Sequence, residues 1–409
     1  MSIDATVPAN LQAPPELGSA ELDRLLEQIG ADVFERERDG IPPFDAIDLV
    51  RRSRLGALRL PREEGGADAT LRDHFAMLIR LAEVDPNLAH ILRVHFFTVE
   101  NLIHSPFPER DRRRREEVAK GTIFGGSLTE LGTGNTGQYD PAAFKTVIAP
   151  HGDGFVLDGT KYYSTGSMYS DILSVTGRTP DDRIVTAVFP ADREGVTLED
   201  DWDGMGQALT GTGTSRFEHV HIAADEIQDD GERGDRPRYT GAFMQLHLTA
   251  LIAGILAAAS RDAVALVRSR DRTFTHAPSE TAPTDPILQE GVGQMVAAAY
   301  AAESAVLIAA EAIDDAADSV VDGAPDPALA ERASLQAAKA KVVVDGLAGG
   351  VGWTLFDVGG ASATKRSKNL DRHWRNARTV ASHNPTSYKA MVIGDVAING
   401  SPLPPSWFF

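Results

Sequence analysis

The densest polar cluster in the 409-residue chain is Asn369-Leu-Asp-Arg-His-Trp-Arg-Asn-Ala-Arg378. Arg372, Arg375 and Arg378 recur every third residue, which places them on one side of a helix. Such a row can bind an anion or pair with acids across a helix interface, and pairing is the plainer outcome. His383 follows, between Ser382 and Asn384-Pro385. A histidine there can simply cap a helix, but imidazole titrates near neutrality and can both donate and accept a hydrogen bond. Gly359-Gly-Ala-Ser-Ala-Thr364 offers backbone amides and hydroxyls that could cradle a phosphate. No strand precedes it and no Gly-Lys-Ser/Thr follows, so it is neither a dinucleotide fingerprint nor a P-loop; alone it reads as a loop. Hydroxyls are also dense in Tyr162-Tyr-Ser-Thr-Gly-Ser167 and Gly211-Thr-Gly-Thr-Ser215. Without a Gly-x-Ser-x-Gly elbow these are not a serine hydrolase; they are turn formers or partners for a heteroaromatic cofactor. His219 and His221 lack a nearby third ligand, so no metal site is expected.

Three stretches of different periodicity must position these groups. After a loose arm over residues 1–20, residues 21–120 read as helical, with Leu22, Leu25, Leu26 and Ile29, then Phe75, Leu78, Ile79 and Ala82, at helical spacing. Residues 121–235 turn to short Val-, Ile-, Thr- and aromatic-rich segments such as 144–148, 172–175, 184–189 and 216–222, separated by Gly and Asp turns. That pattern predicts a small antiparallel β domain. Residues 236–409 return to long alanine-rich helices, Leu251–Ala265, Val296–Ile313 and Ala328–Val344, which suit a four-helix bundle. The Pro-rich segment 278–286 and the Gly-rich segment 345–360 are expected to break it.

Composition narrows the classes. The net charge of −19 is the reverse of a nucleic-acid footprint. Arg112–Arg115 is flanked by acids and reads as a solvated helix face, although single arginines could still serve an anionic ligand. There is no cysteine, which removes disulfides, thiolate metal sites and cysteine nucleophiles. No secretory signal is visible, and the apolar run around Leu248–Ala259 reads as too short for a bilayer, so a cytoplasmic protein without a membrane partner is expected.

Ordered landmarks resemble the acyl-CoA dehydrogenase superfamily over nearly the whole chain. They are Leu55–Gly66, Ser127-Leu-Thr-Glu130, Gly159–Ser167 with Ser170-Asp171, Asp201–Gly206 with Gly211-Thr-Gly-Thr, and Arg272-Thr-Phe274 with Gln289. Within it, Gly359–Thr364, Asn369–Thr379, His383 and Pro385 are similar to the dibenzothiophene monooxygenase branch, though Val380 stands where that branch has a further histidine and Thr129-Glu130 is dehydrogenase-like. The resemblance implies an N-terminal helical domain, a central antiparallel β domain and a C-terminal four-helix bundle. It implies a homotetramer using FMN, or less readily FAD, reduced by a separate reductase. Flavin contacts would come from Ser127, Thr129, Tyr163, Thr165, Trp202, Gly360, Ala361, Ser362, Thr364 and His383, with Arg272 and Phe274 reaching a neighbouring subunit's flavin phosphate.

The chemistry also separates two branches. A dehydrogenase needs a carboxylate to remove an α-proton as hydride leaves for the flavin. The family places it near the C-terminal loop or in the first long bundle helix, and neither Ser382–Tyr388 nor Gly241–Ser260 contains an acid. A monooxygenase needs instead a water-excluding site that supports a C4a-hydroperoxyflavin by hydrogen bonds. His383, Thr165, Ser127 and Trp202 are candidates, with His95 on a substrate-side helix. The expected activity is oxygenation of a small organosulfur or nitrogen-containing molecule. The alternatives are an acyl-CoA dehydrogenase or related flavin oxidoreductase, and a catalytically inactive binding protein.

Overall fold

A computed structural model describes residues 13–132, 144–229 and 239–409; the first twelve residues of the expected arm lie outside these. Seven helices open the chain: α1 (Ala20–Gly30), α2 (Val33–Asp39), α3 (Phe44–Ser53), α4 (Leu71–Val84), α5 (Pro86–Ile91), α6 (Arg93–Ile103) and α7 (Pro108–Lys120). Ser19 and Thr70 cap α1 and α4 through their hydroxyls. The apolar stripe of α1 is buried, Leu22 and Ile29 completely.

Eight strands follow: β1 (Phe124–Ser127), β2 (Val147–His151), β3 (Gly154–Lys161), β4 (Ile172–Arg178), β5 (Ile184–Pro190), β6 (Val196–Leu198), β7 (Ser215–Ile222) and β8 (Ile227–Asp229). They form one sheet in the order β6-β7-β3-β2-β4-β5-β8, with β1 beside β4. The expected all-antiparallel domain is corrected here to a mixed sheet. β1 runs parallel to β4 over Phe124–Ser127, because β2 and β3 intervene in sequence and no hairpin ties β1 to β4. The sheet buries alternating residues such as Leu173, Val175, Phe217 and Val220 in its own core.

The last part contains α8 (Thr240–Arg268), α9 (Pro286–Asp318), α10 (Pro327–Gly359), α11 (Asp371–Ala381) and α12 (Thr386–Asn399). Two expectations change. The glycines at 346, 349, 350 and 352 do not break α10; each costs about 1 kcal/mol of helix propensity, but the buried Val351, Leu355 and Val358 hold the segment in place. The run around Leu248–Ala259 belongs to a 29-residue helix, and α8, α9 and α10 are each long and apolar enough to cross a membrane by length and composition. In this fold α8 instead lies at the centre of the bundle, packed against α4, α9 and α10.

Candidate active site

The break between α5 and α6 sets the first group of polar side chains. Asp85 caps α5, accepting hydrogen bonds from the amides of Asn87 and Leu88, and Pro86 fills the first helical position. The helix stops at Ile91 and restarts at Arg93. His90 and Arg93 therefore sit at a junction, and the β domain closes on it. A side chain on Gly166, which stands at φ +80°, would strike the Ile91 carbonyl, and one on Gly126 would strike Val94.

The second group comes from the turn between α11 and α12. Ser382 ends α11 and Pro385 starts α12, leaving His383 and Asn384 between them. His383 Nε2 lies 3.4 Å from Arg93 Nη1, and Arg93 Nε donates to the Met244 carbonyl at 3.3 Å. Asn384 Nδ2 donates to Gln245 Oε1 at 2.6 Å, and Gln245 Nε2 donates to the Trp407 carbonyl at 3.2 Å. The C-terminal segment is thereby drawn over the site. Phe408 meets the His383 ring edge-on at 6.2 Å, Trp407 meets Phe97 at 6.4 Å, and Lys389 donates to the Phe408 carbonyl.

His383 keeps an open face to solvent, yet protein crowds it on the other sides. That crowding, then the charge of Arg93, holds its pKa well below the usual histidine range. The expected titration of His383 near neutrality is corrected accordingly: at pH 7 it is a neutral hydrogen-bonding group. Burial and Arg93 likewise hold His90 down at about 3. Arg93 itself is lowered by burial to about 10 and remains a cation.

His90 Nδ1 donates to Gln207 Oε1 at 3.0 Å, which leaves Nε2 as the basic nitrogen. Gln207 is fixed in turn, with φ +55° and its amide N–H held by Asn376 Oδ1 at 2.7 Å. Asn376 Nδ2 donates to the buried Glu37 at 2.6 Å. Gln207 Nε2 is buried with no protein partner, as are Ser164 Oγ and Asn384 Oδ1.

The expected flavin contacts from the β domain form a ledge. Thr129 bridges Tyr162, whose N–H donates to the Thr129 carbonyl at 2.9 Å. Next to it Tyr163 stands at φ +57°, half exposed, with its ring perpendicular to Trp202 at 6.2 Å. Thr165 shares a 2.9 Å hydrogen bond with Thr212. An aromatic corner, backbone edges, hydroxyls and the unpartnered Ser164 Oγ fit a planar ring with a polar rim such as FMN. Glu130, a carboxylate beside the ledge, is buried in a 2.7 Å ion pair with Lys161 and accepts two backbone N–H groups. Although burial opposes it, these contacts hold Glu130 ionised below the usual range.

Other candidates lie elsewhere. His95 is fully buried, with Nε2 bonded to the Gly56 carbonyl at 3.0 Å and Nδ1 accepting from the Phe124 N–H at 3.2 Å. Both nitrogens are used, so His95 splices α6 to β1, and His90 is the histidine that this part of the chain brings to the cleft. The Ser127 hydroxyl is also fully buried, bonded to Ser215 at 3.1 Å, so only its backbone can serve the ledge. The arginine row is structural: Arg372 pairs with Asp262 and Arg375 with Asp371. Arg272, Phe274 and the Gly360–Thr364 turn gather at the far end of α8, where Arg270 donates to the Val358 carbonyl. From Met244 to Arg268 α8 runs about 36 Å, so these residues cannot serve the cleft of their own copy.

Two family models match the chain, the acyl-CoA dehydrogenase middle domain over residues 127–220 and the acyl-CoA dehydrogenase C-terminal domain over residues 246–388. The chain belongs to the acyl-CoA dehydrogenase superfamily. Its similarity to a probable FMNH2-dependent monooxygenase, SfnC of Pseudomonas putida, is 27% identity over 98% of this chain and 99% of that one. Among solved structures, FMN-bound TdsC of Paenibacillus sp. A11-2, a dibenzothiophene monooxygenase, superposes with a TM-score of 0.86 at 28% identity, covering 96% of this chain and 100% of that one. The methanesulfinate monooxygenase MsuC of Pseudomonas fluorescens gives 0.85 at 26% identity, covering 95% and 98%.

Proposed function

We propose that this chain is an FMNH2-dependent monooxygenase that transfers one atom of O2 to a small organosulfur molecule, with reduced flavin supplied by a separate reductase. One observation carries this reading. Where a dehydrogenase would need a carboxylate base, the cleft presents His383, His90 and Arg93, and Glu130 is locked by Lys161. Imidazole can serve as a general base elsewhere, but neither place where the superfamily carries its carboxylate, Ser382–Tyr388 or Gly241–Ser260, contains an acid. The imidazoles and the cation can hold an oxygen-rich group by hydrogen bonds.

When bound, reduced FMN supplies the two electrons that activate O2. The Leu128–Thr129 backbone, Tyr163, Thr165 and Trp202 would hold its ring. His383 and His90 offer hydrogen bonds at the reacting face, and the orphaned Gln207 amide adds a donor. Trp407, Phe408 and Phe97 wall one side of the His383 turn with aromatic carbon. A homotetramer completes the site, because Arg272 and Phe274 reach the flavin phosphate of a neighbouring copy. The exposed Trp353, Tyr300 and Ile308 on α9 and α10 supply apolar surface for that assembly.

The test is turnover of an organosulfur compound with chemically reduced FMN under 18O2. One labelled oxygen per product molecule is expected. Oxidation of an acyl-CoA thioester without O2 would overturn the reading in favour of a dehydrogenase.

A further inference from the structure

Glu37, on α2, stands three hydrogen bonds from His90. Its side chain is only 8% exposed, and one of its oxygens is used twice. Glu37 Oε1 accepts from Asn376 Nδ2 at 2.6 Å and from Asn87 Nδ2 at 3.3 Å. Both asparagines are buried. A carboxylate oxygen only accepts, so each amide must turn its NH2 toward Glu37. Each amide oxygen then faces the other way, and both meet the same short segment. Asn376 Oδ1 accepts the Gln207 N–H at 2.7 Å, and Asn87 Oδ1 accepts the Leu209 N–H at 3.3 Å. Glu37 thus joins two arms, one from α11 and one from α5, into a bracket around residues 207–209.

What the bracket grips is the support of His90. Gln207 stands at φ +55°, a backbone that a residue other than glycine holds only where its surroundings fix it. From there its Oε1 meets His90 Nδ1 at 3.0 Å. His90 and Asn87 lie on the same helix, α5. The segment is therefore tied to the helix that bears His90 both by its backbone, at Leu209, and by its side chain, at Gln207. An asparagine amide has two unlike faces, and without an acceptor at position 37 nothing sets which face each shows to the loop. Glu37 is not needed to neutralise a cation. Arg372 Nε lies 3.7 Å from Glu37 Oε2, too far for a hydrogen bond, and Arg372 pairs with Asp262 at 2.6 Å.

We infer that Glu37 is a positioning residue for His90. By fixing the orientation of the Asn87 and Asn376 amides it holds residues 207–209 in place, and through Gln207 it holds the imidazole ring. The effect on oxygenation rests on the monooxygenase reading; the bracket itself does not.

The test joins hydrogen–deuterium exchange of the FMN-loaded protein, resolved to single amides, with the ratio of oxygenated product to hydrogen peroxide. Glu37→Leu removes the shared acceptor. The Gln207 and Leu209 amides should then exchange at least about tenfold faster, the scale of a lost hydrogen bond to a charged group, while α4 and α8 exchange as in wild type. The product-to-peroxide ratio should fall about tenfold or more. Glu37→Gln keeps one acceptor oxygen and should hold both readouts within about threefold of wild type. In a Gln207→Leu background, Glu37→Leu should lower the ratio by less than about twofold further, because it acts through that side chain. Faster exchange throughout the molecule, a Gln variant as damaged as the Leu variant, or full additivity in the double variant would each overturn the inference. If Glu37→Leu does not fold, Asn376→Leu decides: the Gln207 amide should exchange faster while the Leu209 amide stays protected, and unchanged exchange at Gln207 would overturn the inference. Localised exchange in a protein that makes no O2-dependent product would support the bracket and remove the monooxygenase reading instead.

Discussion

Acidification should loosen this protein through three histidines that have nothing to do with its chemistry. His74, His95 and His247 are fully buried. His74 sits among Phe75, Phe96 and Phe243, with neither ring nitrogen bonded to protein. Burial lowers His74 to about 3 and His95 to about 4, and lowers His247 well below its ordinary value. A base whose folded pKa is depressed binds fewer protons folded than unfolded. Stability is therefore complete above the unfolded pKa near 6.5 and is lost as pH falls from there toward the folded values. Between pH 7.5 and 5.5 each such histidine costs about 1.4 kcal/mol, so the three together remove about 4 kcal/mol. Glu37 and Asp314, raised by burial, act with the opposite sign and soften the fall at its lower end. The assay is urea unfolding at fixed protomer concentration and saturating FMN, at pH 7.5 and 5.5, for wild type and His74→Phe. Phenylalanine extends the aromatic cluster and removes one titrating group, so the pH-dependent loss should shrink by about 1.4 kcal/mol. An unchanged loss in His74→Phe, or no loss in wild type, would refute the burial argument.

His383→Ala should leave FMN affinity nearly intact but divert reduced flavin to hydrogen peroxide, lowering oxygenated product by roughly two to four decades; the product-to-peroxide ratio measures it. With the His383 pKa held below the usual histidine range, the wild-type rate should show no break near pH 6.5 assignable to it, which a pH profile against His383→Ala will check. Arg272→Ala should weaken FMN binding roughly tenfold or more, the loss of one charge-assisted bond, read by flavin fluorescence. Gln207→Leu should lower oxygenation while FMN binding persists, since His90 Nδ1 loses its acceptor and the ring is free to turn; Gln207→Glu, which still accepts, should restore part of the rate.

The helical, β, helical order was legible because its periodicities are long and unmixed. The superfamily's landmarks were legible because glycines and turn residues keep their order. Phase was not. His90 and His95 lie five residues apart, and whether either reaches the cleft depends on the break at Leu92, where the helix stops and restarts. No propensity marks that break; it follows from α5 and α6 meeting the β domain at Ile91 and Val94. Gln207 was equally hidden, since its role rests on a positive φ and on Asn376 from 169 residues away. The Gly-rich end of α10 misled for a related reason, since local preference there yields to packing from outside the segment.

Helix α8 is one rigid rod with a different duty at each end. Its Met244 and Gln245 end meets Arg93 and Asn384, and in the homotetramer proposed above the Arg272–Phe274 segment just past its other end serves a neighbour's site. In that proposed assembly no copy is self-sufficient, and each active site is the joint property of two chains. Two impaired parents, one carrying His383→Ala and the other Arg272→Ala, assayed at FMN too low to saturate the Arg272→Ala protein, should therefore complement each other when mixed as unfolded subunits and reassembled. Each mixed pair contains one site with both lesions and one with neither, so activity above that of either parent returns in the hybrid.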